Sequence, residues 1–264
     1  MNKILIILIL VLLAVGFVVW QKKQVKGQMT NQQMLETDTD TPIDTQSDVE
    51  YFTGAKGYFV RPAKEGNYPG VVMIHENRGL RPEIRATAEQ LAKEGYMVLA
   101  VDLFNNKVVE TQDEAKQLTT GFDQQKGIDN MKAAAAFLKE KGATKVASLG
   151  WCFGGGQSLQ LALSGQPLDA TVIYYGSKLV TDPNELSRIK WPVLGIFGQD
   201  DQVVSVDSVN QFRDALNKDG ITNEIYVYPG VGHAFANPSG MNFAPRETQD
   251  AWQKTLSFLG KYLK

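Results

Sequence analysis

The only cysteine of the chain stands where a nucleophile could be held. Cys152 lies in the segment Gly-Trp-Cys-Phe-Gly-Gly-Gly, between a strand-like run at 145–150 and a helical pattern at 155–164. Glycines two positions before and two positions after the cysteine are typical of a nucleophile elbow, a sharp turn without room for Cβ atoms. The start of a helix also favours a thiolate. A small buried cysteine is the alternative, but the position between strand and helix favours a catalytic nucleophile.

A thiol nucleophile needs a base, and the base needs an acid that orients it. His233, one of two histidines, follows a strand-like run in the segment Pro-Gly-Val-Gly-His-Ala-Phe. Asp201 follows the run at 192–197, with Asp200 as the competing acid. The order nucleophile, acid, histidine is that of α/β hydrolases. All three residues fall at carboxyl ends of predicted strands, where open α/β sheets place their sites. We therefore predict a catalytic triad of Cys152, His233 and Asp201.

The first buried strand ends in the segment His-Glu-Asn-Arg-Gly at 75–79. In this fold, the loop after that strand and the residue after the nucleophile each supply one backbone N–H of the oxyanion hole. We expect Asn77 and Phe153 to be these donors. Glu76 is a further catalytic candidate, because a buried carboxylate in a merely structural loop is costly unless it is paired. An exposed glutamate paired with Arg78 is the alternative.

Short apolar runs alternate with helical patterns after residue 50. The runs lie at 70–75, 96–103, 145–150, 170–175, 192–197 and 223–228. Runs that are apolar on both faces predict strands buried in a parallel sheet. Helices are predicted at 82–94, 127–141, 155–164, 206–218 and 246–263. The alternation predicts an α/β domain with a mostly parallel sheet and helices on both faces.

The first residues differ in kind from the rest of the chain. Residues 4–20 are an unbroken apolar run, flanked by Lys3 and by Lys22 and Lys23. A membrane-spanning helix needs roughly 17–25 such residues, and no small-residue cleavage site follows the run. We predict a membrane anchor at 1–23, a flexible polar linker at 24–50 and a catalytic domain at 51–264. The domain is expected outside the cytoplasm, and a cleaved signal peptide is the alternative to an anchor.

Composition argues against several other functions. A net charge of −2 gives no support for a nucleic-acid partner. One cysteine and two histidines allow neither an intramolecular disulfide nor a zinc-type cluster. No glycine-rich nucleotide-binding motif is present. We therefore expect no metal and no organic cofactor, and the sequence leaves the oligomeric state open.

These segments together resemble the dienelactone hydrolase family, from about Tyr58 to the carboxyl terminus. The resemblance lies in Gly-Trp-Cys-Phe-Gly-Gly, in His-Glu-Asn-Arg-Gly, in the Gly-x-x-Asp segment and in Gly-His-Ala-Phe-Ala. It implies an α/β-hydrolase fold in which Cys152 is the nucleophile, His233 the base and Asp201 the orienting acid. It also implies that Glu76 contacts the resting thiol and takes part in its activation. Members of this kind hydrolyse an ester or lactone through an acyl-enzyme, without a metal or organic cofactor.

Two positions depart from the family pattern. The members that cleave dienelactone hold the substrate carboxylate with arginines, at positions that are Asn106 and Asn237 here. A neutral amide cannot replace a guanidinium fork. We therefore expect a membrane-tethered hydrolase whose partners are a small, neutral ester or lactone and the membrane. A peptide or thioester hydrolase of the same fold and a catalytically silent binding domain are the alternatives.

Overall fold

The structure, a computed structural model, describes residues 41–264. Within this range the strands are β1 (Ile43–Phe52), β2 (Ala55–Pro62), β3 (Gly70–Ile74), β4 (Met97–Val101), β5 (Val146–Trp151), β6 (Ala170–Tyr174), β7 (Val193–Gly198) and β8 (Asn223–Tyr228). The helices are α1 (Pro82–Lys93), α2 (Gln112–Thr120), α3 (Gln124–Glu140), α4 (Phe153–Leu163), α5 (Pro183–Leu186), α6 (Val206–Lys218) and α7 (Pro245–Leu263). The predicted membrane anchor at 1–23 lies outside the described residues. Among residues 41–264, no helix combines the length and the apolar character needed to cross a membrane.

The eight strands form a sheet in the order β1-β2-β4-β3-β5-β6-β7-β8. Strands β3 to β8 run parallel to one another. At one edge, β2 pairs antiparallel with β4, and β1 pairs antiparallel with β2. The six predicted strands correspond to β3 through β8, and their parallel pairing is confirmed. Five of them, β3 to β7, are buried along their whole length. This burial on both faces explains why apolar runs marked them so clearly.

Helices cover both faces of the sheet, as predicted. On one face, α1 and α7 pack their apolar sides on a cluster that includes Leu91, Trp252 and Phe258. On the other face, α3, α4 and α6 contribute residues such as Met131, Leu161 and Phe212 to two further clusters. Because strands β3 to β8 run parallel, the loops that follow them all begin at the same edge of the sheet. The loops that follow the strands can therefore assemble a site there.

The prediction of a linker at 24–50 is wrong from residue 43 onward, because β1 occupies Ile43–Phe52. The pairing of β1 with β2 shifts register twice, and Asp48, at the first shift, has a φ of +55°. Such a bulge turns the side chains that follow to the other face of the sheet. Ile43 accordingly packs on the cluster beneath α1 and α7, whereas Val49 and Tyr51 pack on the cluster beneath α3. The interruption removed the regular alternation by which a strand is recognised.

Candidate active site

Cys152 lies at the turn between β5 and α4, as the elbow motif predicts. Its backbone has φ +52° and ψ −116°, a conformation that residues with a side chain rarely adopt. The turn is tight enough that a Cβ on Gly150 would lie 2.1 Å from the carbonyl oxygen of Gly154. A Cβ on Gly154 would lie 2.3 Å from the carbonyl oxygen of Ile74. The two glycines thus allow the elbow to form and allow α4 to approach the end of β3.

The structure brings together the three residues of the predicted triad. The thiol sulfur of Cys152 lies 3.1 Å from Nε2 of His233. Nδ1 of the same ring lies 2.8 Å from Oδ2 of Asp201. Oδ1 of Asp201 accepts backbone N–H bonds from Val203 and Val204 at 2.7 and 2.9 Å. The carboxylate is therefore held on both oxygens and orients the imidazole so that Nε2 faces the thiol.

The structure distinguishes the two candidate acids. Asp201 is buried and forms a hydrogen bond with His233, whereas Asp200 is exposed. The side chain of Asp201 has no exposed surface, and that of His233 has 17%. The acid that the sequence analysis preferred is thus the one in contact with the base.

Electrostatics in the triad favour a charged imidazole. Burial disfavours the charged form of His233, but hydrogen bonds to Asp201 and Cys152 outweigh burial and raise its pKa to about 10. Burial also opposes ionisation of Asp201, yet the bond from His233 and the backbone N–H groups lower the pKa of this carboxyl below its ordinary value. An imidazolium beside the sulfur stabilises a thiolate, which is the reactive form of cysteine.

Glu76 follows β3 and is joined to a residue from the opposite side of the site. Its Oε2 accepts a hydrogen bond from Nδ2 of Asn237, while its Oε1 is buried without a hydrogen-bond partner within residues 41–264. Burial is the largest influence and raises the pKa of Glu76 to about 7. The alternative of an exposed glutamate paired with Arg78 is therefore wrong: Glu76 is half-buried, its Oε1 has no contact with solvent, and no ion pair joins these two residues.

The expected contact between Glu76 and the resting thiol is not present in this arrangement. The thiol is oriented toward His233, and Asn237 supplies the donor for the carboxylate instead. The physical reason is that a neutral amide at this position offers an N–H to Glu76 but no positive charge. The buried Oε1 atom of Glu76 remains without a partner in the described part of the chain.

The two predicted oxyanion donors come from adjacent parts of the fold. Asn77 lies in the loop after β3, and Phe153 is the first residue of α4. The close approach of Gly154 to the backbone of Ile74 and His75 brings these segments together. Their roles as oxyanion donors stay predictions.

Tyr175 is a site residue that the sequence analysis missed. It directly follows β6, is fully buried and has a φ of +36°. Its ring meets the His233 imidazole edge to face at 5.3 Å between centroids. Contacts of this geometry are favourable, and the tyrosine limits the rotation of the imidazole from behind. As the last residue of an apolar run, it gave no sign of this position.

No group of three or more His, Cys, Asp or Glu side chains within residues 41–264 is arranged to hold a metal ion. A thiol, an imidazole and a carboxylate in hydrogen-bonded series suit nucleophilic attack on an acyl carbon.

Comparisons with known proteins agree with this geometry. The model of the dienelactone hydrolase family matches residues 55–263. Protein usf of Aquifex pyrophilus is 33% identical over 219 residues, which is 79% of this chain and 94% of the relative. A protein assigned as a carboxymethylenebutenolidase in Methylorubrum extorquens is 28% identical over 222 residues, covering 78% of this chain and 76% of the relative.

A solved structure gives the same picture for the fold. A protein from Klebsiella pneumoniae assigned as a dienelactone hydrolase superposes with a TM-score of 0.76 at 26% identity. The match covers 84% of this chain and all of the other. The predicted α/β-hydrolase fold is therefore confirmed for the part of the chain that the structure describes.

Proposed function

Because the chain belongs to the dienelactone hydrolase family of carboxylic ester and lactone hydrolases, we propose that it cleaves a small, neutral ester or lactone through an acyl-enzyme on Cys152. The observation that supports this most directly is the hydrogen-bonded series from the Cys152 sulfur through His233 to Asp201. A nucleophile, a base and an orienting acid in contact are what acyl transfer requires.

In the acylation step, the sulfur of Cys152 attacks the carbonyl carbon and forms a C–S bond. The electrons of the carbonyl double bond move to its oxygen, which the N–H groups of Asn77 and Phe153 stabilise as an oxyanion. As the carbonyl re-forms, the C–O bond to the leaving alcohol breaks. The imidazolium of His233 gives its Nε2 proton to the departing oxygen. A thioester remains on Cys152, and a lactone substrate stays attached through its opened ring.

In the deacylation step, neutral His233 takes a proton from a water molecule that attacks the thioester carbon. A second oxyanion forms in the same position and collapses with loss of the Cys152 sulfur as a thiolate. The product is a carboxylic acid, and the imidazolium–thiolate pair is restored. Asp201 stabilises the imidazolium in both steps without becoming protonated itself.

The partners of Asn237 and Arg81 favour a neutral acyl group. Asn237 is engaged with Glu76, and Arg81 is paired with Glu83 and Glu110 at 3.3 and 2.8 Å. A substrate carboxylate beside the half-buried Glu76 would lose hydration and gain no cation from these residues. An ester or lactone without a charge on its acyl portion meets no such cost.

We further propose that residues 1–23 tether the enzyme to a membrane, with the catalytic domain on the extracytoplasmic side. The support is the uninterrupted apolar run at 4–20. The full chain should sediment with membranes and resist extraction by high salt. Protease added to spheroplasts should digest the domain. Release of the chain by salt alone, or an amino terminus beginning after Trp20, would contradict the anchor.

The central test uses an activated aryl ester. The wild type should release a burst of the aryl alcohol equal to the enzyme concentration, and mass spectrometry should find the acyl group on Cys152. The Cys152→Ala variant should show no burst and should lose turnover by about 10³-fold or more. Turnover by this variant at the wild-type rate would contradict the proposed nucleophile. Absence of any hydrolysis by the wild type would favour the binding-domain alternative.

A further inference from the structure

Tyr51, a tyrosine on the first strand, forms a hydrogen bond with the backbone of Asp102, the residue that follows β4. Tyr51 of β1 accepts a hydrogen bond on its hydroxyl from the backbone N–H of Asp102 at 2.9 Å. The same hydroxyl donates to Oδ1 of Asn130 on α3 at 2.7 Å. Nδ2 of Asn130 donates in turn to the carbonyl oxygen of Asp102 at 2.9 Å. One residue, Asp102, is thus held on its N–H by Tyr51 and on its carbonyl by Asn130.

Asp102 in turn shapes the loop that follows β4. Its two carboxylate oxygens accept the backbone N–H groups of Phe104 and Asn106 at 3.0 and 2.6 Å. Only 2% of Asp102 is exposed, so water cannot readily substitute for these partners. The backbone N–H of Leu103, between these anchored positions, is thereby aimed in one direction.

That direction is toward His75 at the end of β3. The N–H of Leu103 donates to Nε2 of His75 at 3.1 Å. Since Nε2 accepts, the ring proton of the neutral histidine lies on Nδ1, and Nδ1 donates to the carbonyl oxygen of Glu76 at 2.6 Å. His75 has no exposed surface, and burial lowers its pKa, which keeps this tautomer uncharged. The peptide held in this way is the one that joins Glu76 to Asn77 and carries the Asn77 N–H.

The same histidine also contacts the second predicted oxyanion donor. Its ring stacks on Phe153 with 6.2 Å between centroids and an interplanar angle of 21°. It packs on Phe104 at 4.8 Å as well. His75 is therefore in contact with both segments that carry the proposed donors.

We propose that Tyr51 is a positioning residue for the oxyanion hole and acts through Asp102, Leu103 and His75. The inference rests on the proposed function, because it requires that the Glu76–Asn77 peptide stabilise an oxyanion. Tyr51 lies before residues 55–263, the part of the chain that the family model matches. The first strand thus contributes to catalysis from outside the matched region, without touching substrate.

The test compares two partly buried tyrosine hydroxyls on neighbouring strands. Tyr51→Phe removes the hydroxyl that holds Asp102. Tyr58→Phe on β2 is the matched control, since its hydroxyl donates to Glu89 on α1. With a neutral aryl ester, Tyr51→Phe should lower kcat about tenfold and change KM less than about twofold, because the loss falls on the transition state. Tyr58→Phe should leave kcat within about twofold of the wild type.

A second readout separates positioning from a general loosening of the fold. The rate at which iodoacetamide alkylates Cys152, measured across pH, depends on the triad, which shares no hydrogen bond with Tyr51 among the described residues. This profile should be unchanged in Tyr51→Phe. A lowered kcat accompanied by an altered alkylation profile would indicate a structural effect and would overturn the proposal. Equal kcat values for the two phenylalanine variants would also overturn it.

Two variants of His75 test the same chain of contacts if Tyr51→Phe folds poorly. Glutamine offers one donor and one acceptor in place of the imidazole, whereas leucine offers neither. His75→Leu should lower kcat by at least about tenfold, and His75→Gln should restore part of the loss. Equal kcat for the two variants would contradict the relay. Cys152→Ala, measured in parallel, tests the proposed function separately from the role of Tyr51.

Discussion

Asn237 donates a hydrogen bond from Nδ2 to Oε2 of Glu76, a residue 161 positions earlier in the chain. The bond joins the loop after β8 to the loop after β3. It leaves Oε1 of Glu76 buried without a partner among the described residues, and it supplies no positive charge. The preferred charge of the substrate should follow from this contact, whereas the raised pKa of Glu76 comes chiefly from burial.

The first prediction concerns substrate charge. A neutral aryl ester should have a kcat/KM at least about tenfold above that of its carboxylate-bearing analogue, a difference of ~1.4 kcal/mol in transition-state binding. Asn237→Arg should narrow this preference, because it places a guanidinium beside the acyl site. Both esters should be assayed at two salt concentrations. A salt-sensitive preference of the wild type for the anionic ester would contradict the expectation.

The second prediction concerns stability and pH. Burial raises the pKa of Glu76 from 4.5 to about 7, so the folded protein binds this proton more tightly than the unfolded chain does. The resulting stabilisation is complete below pH 4.5 and is lost as the pH rises through about 7. Glu76→Gln should remove this loss and raise the free energy of unfolding at pH 8, relative to the wild type, by on the order of 3 kcal/mol.

Urea titrations at pH 5 and pH 8 measure this effect. Asp250→Asn is a control of opposite sign, because a hydrogen bond from Lys254 lowers the pKa of Asp250. Removing that carboxylate should weaken the protein at pH 8. Equal free energies of unfolding for Glu76→Gln and the wild type at pH 8 would show that the charged form of Glu76 does not destabilise the protein.

The third prediction concerns the acid of the triad. Asp201→Asn should lower kcat by about 10³-fold, since an amide can present its N–H to Nδ1 and hold the wrong tautomer of His233. It should also lower the pKa of the imidazole, which NMR of the His233 ring would detect. Asp200→Asn, which changes the neighbouring exposed carboxylate, should stay within about twofold of the wild type. A reversed ranking of the two variants would reassign the acid.

The fourth prediction concerns the elbow. Gly154→Ala would place a Cβ 2.3 Å from the Ile74 carbonyl oxygen and 2.5 Å from that of His75. Neither backbone can move aside without disturbing β3, so the free energy of unfolding should fall by more than about 3 kcal/mol. Gly260→Ala in α7 meets nothing within 4 Å and should stabilise the protein by about 0.5–1 kcal/mol. Thermal unfolding of both variants tests the contrast.

The sequence predicted the central part of the fold because its signals were local. Strands β3 to β7 are apolar on both faces, and the glycines around Cys152 indicate the nucleophile elbow. His233 and Asp201 were found because each directly follows a recognisable strand. For these residues, position along the chain and position in space are closely linked.

Other features depended on contacts that no short segment encodes. β1 was mistaken for linker because its bulge at Asp48 sends Ile43 and Tyr51 to opposite faces of the sheet. The hydrogen bond between Asn237 and Glu76 joins residues that are 161 positions apart in the sequence. The place of Tyr175 behind His233 depends on how two strand ends meet. Each arises from tertiary packing, which spacing and composition do not record.

The irregular course of β1 has a consequence for encounters between molecules. An edge strand normally offers a continuous ladder of free N–H and C=O groups, on which a second chain can stack. Here the register shifts at Asp48 and again after Glu50, and the exposed side chains nearby include Asp44 and Glu50. A second copy of the strand would meet a broken ladder and like charge. The bulge therefore also protects this edge of the sheet against aggregation.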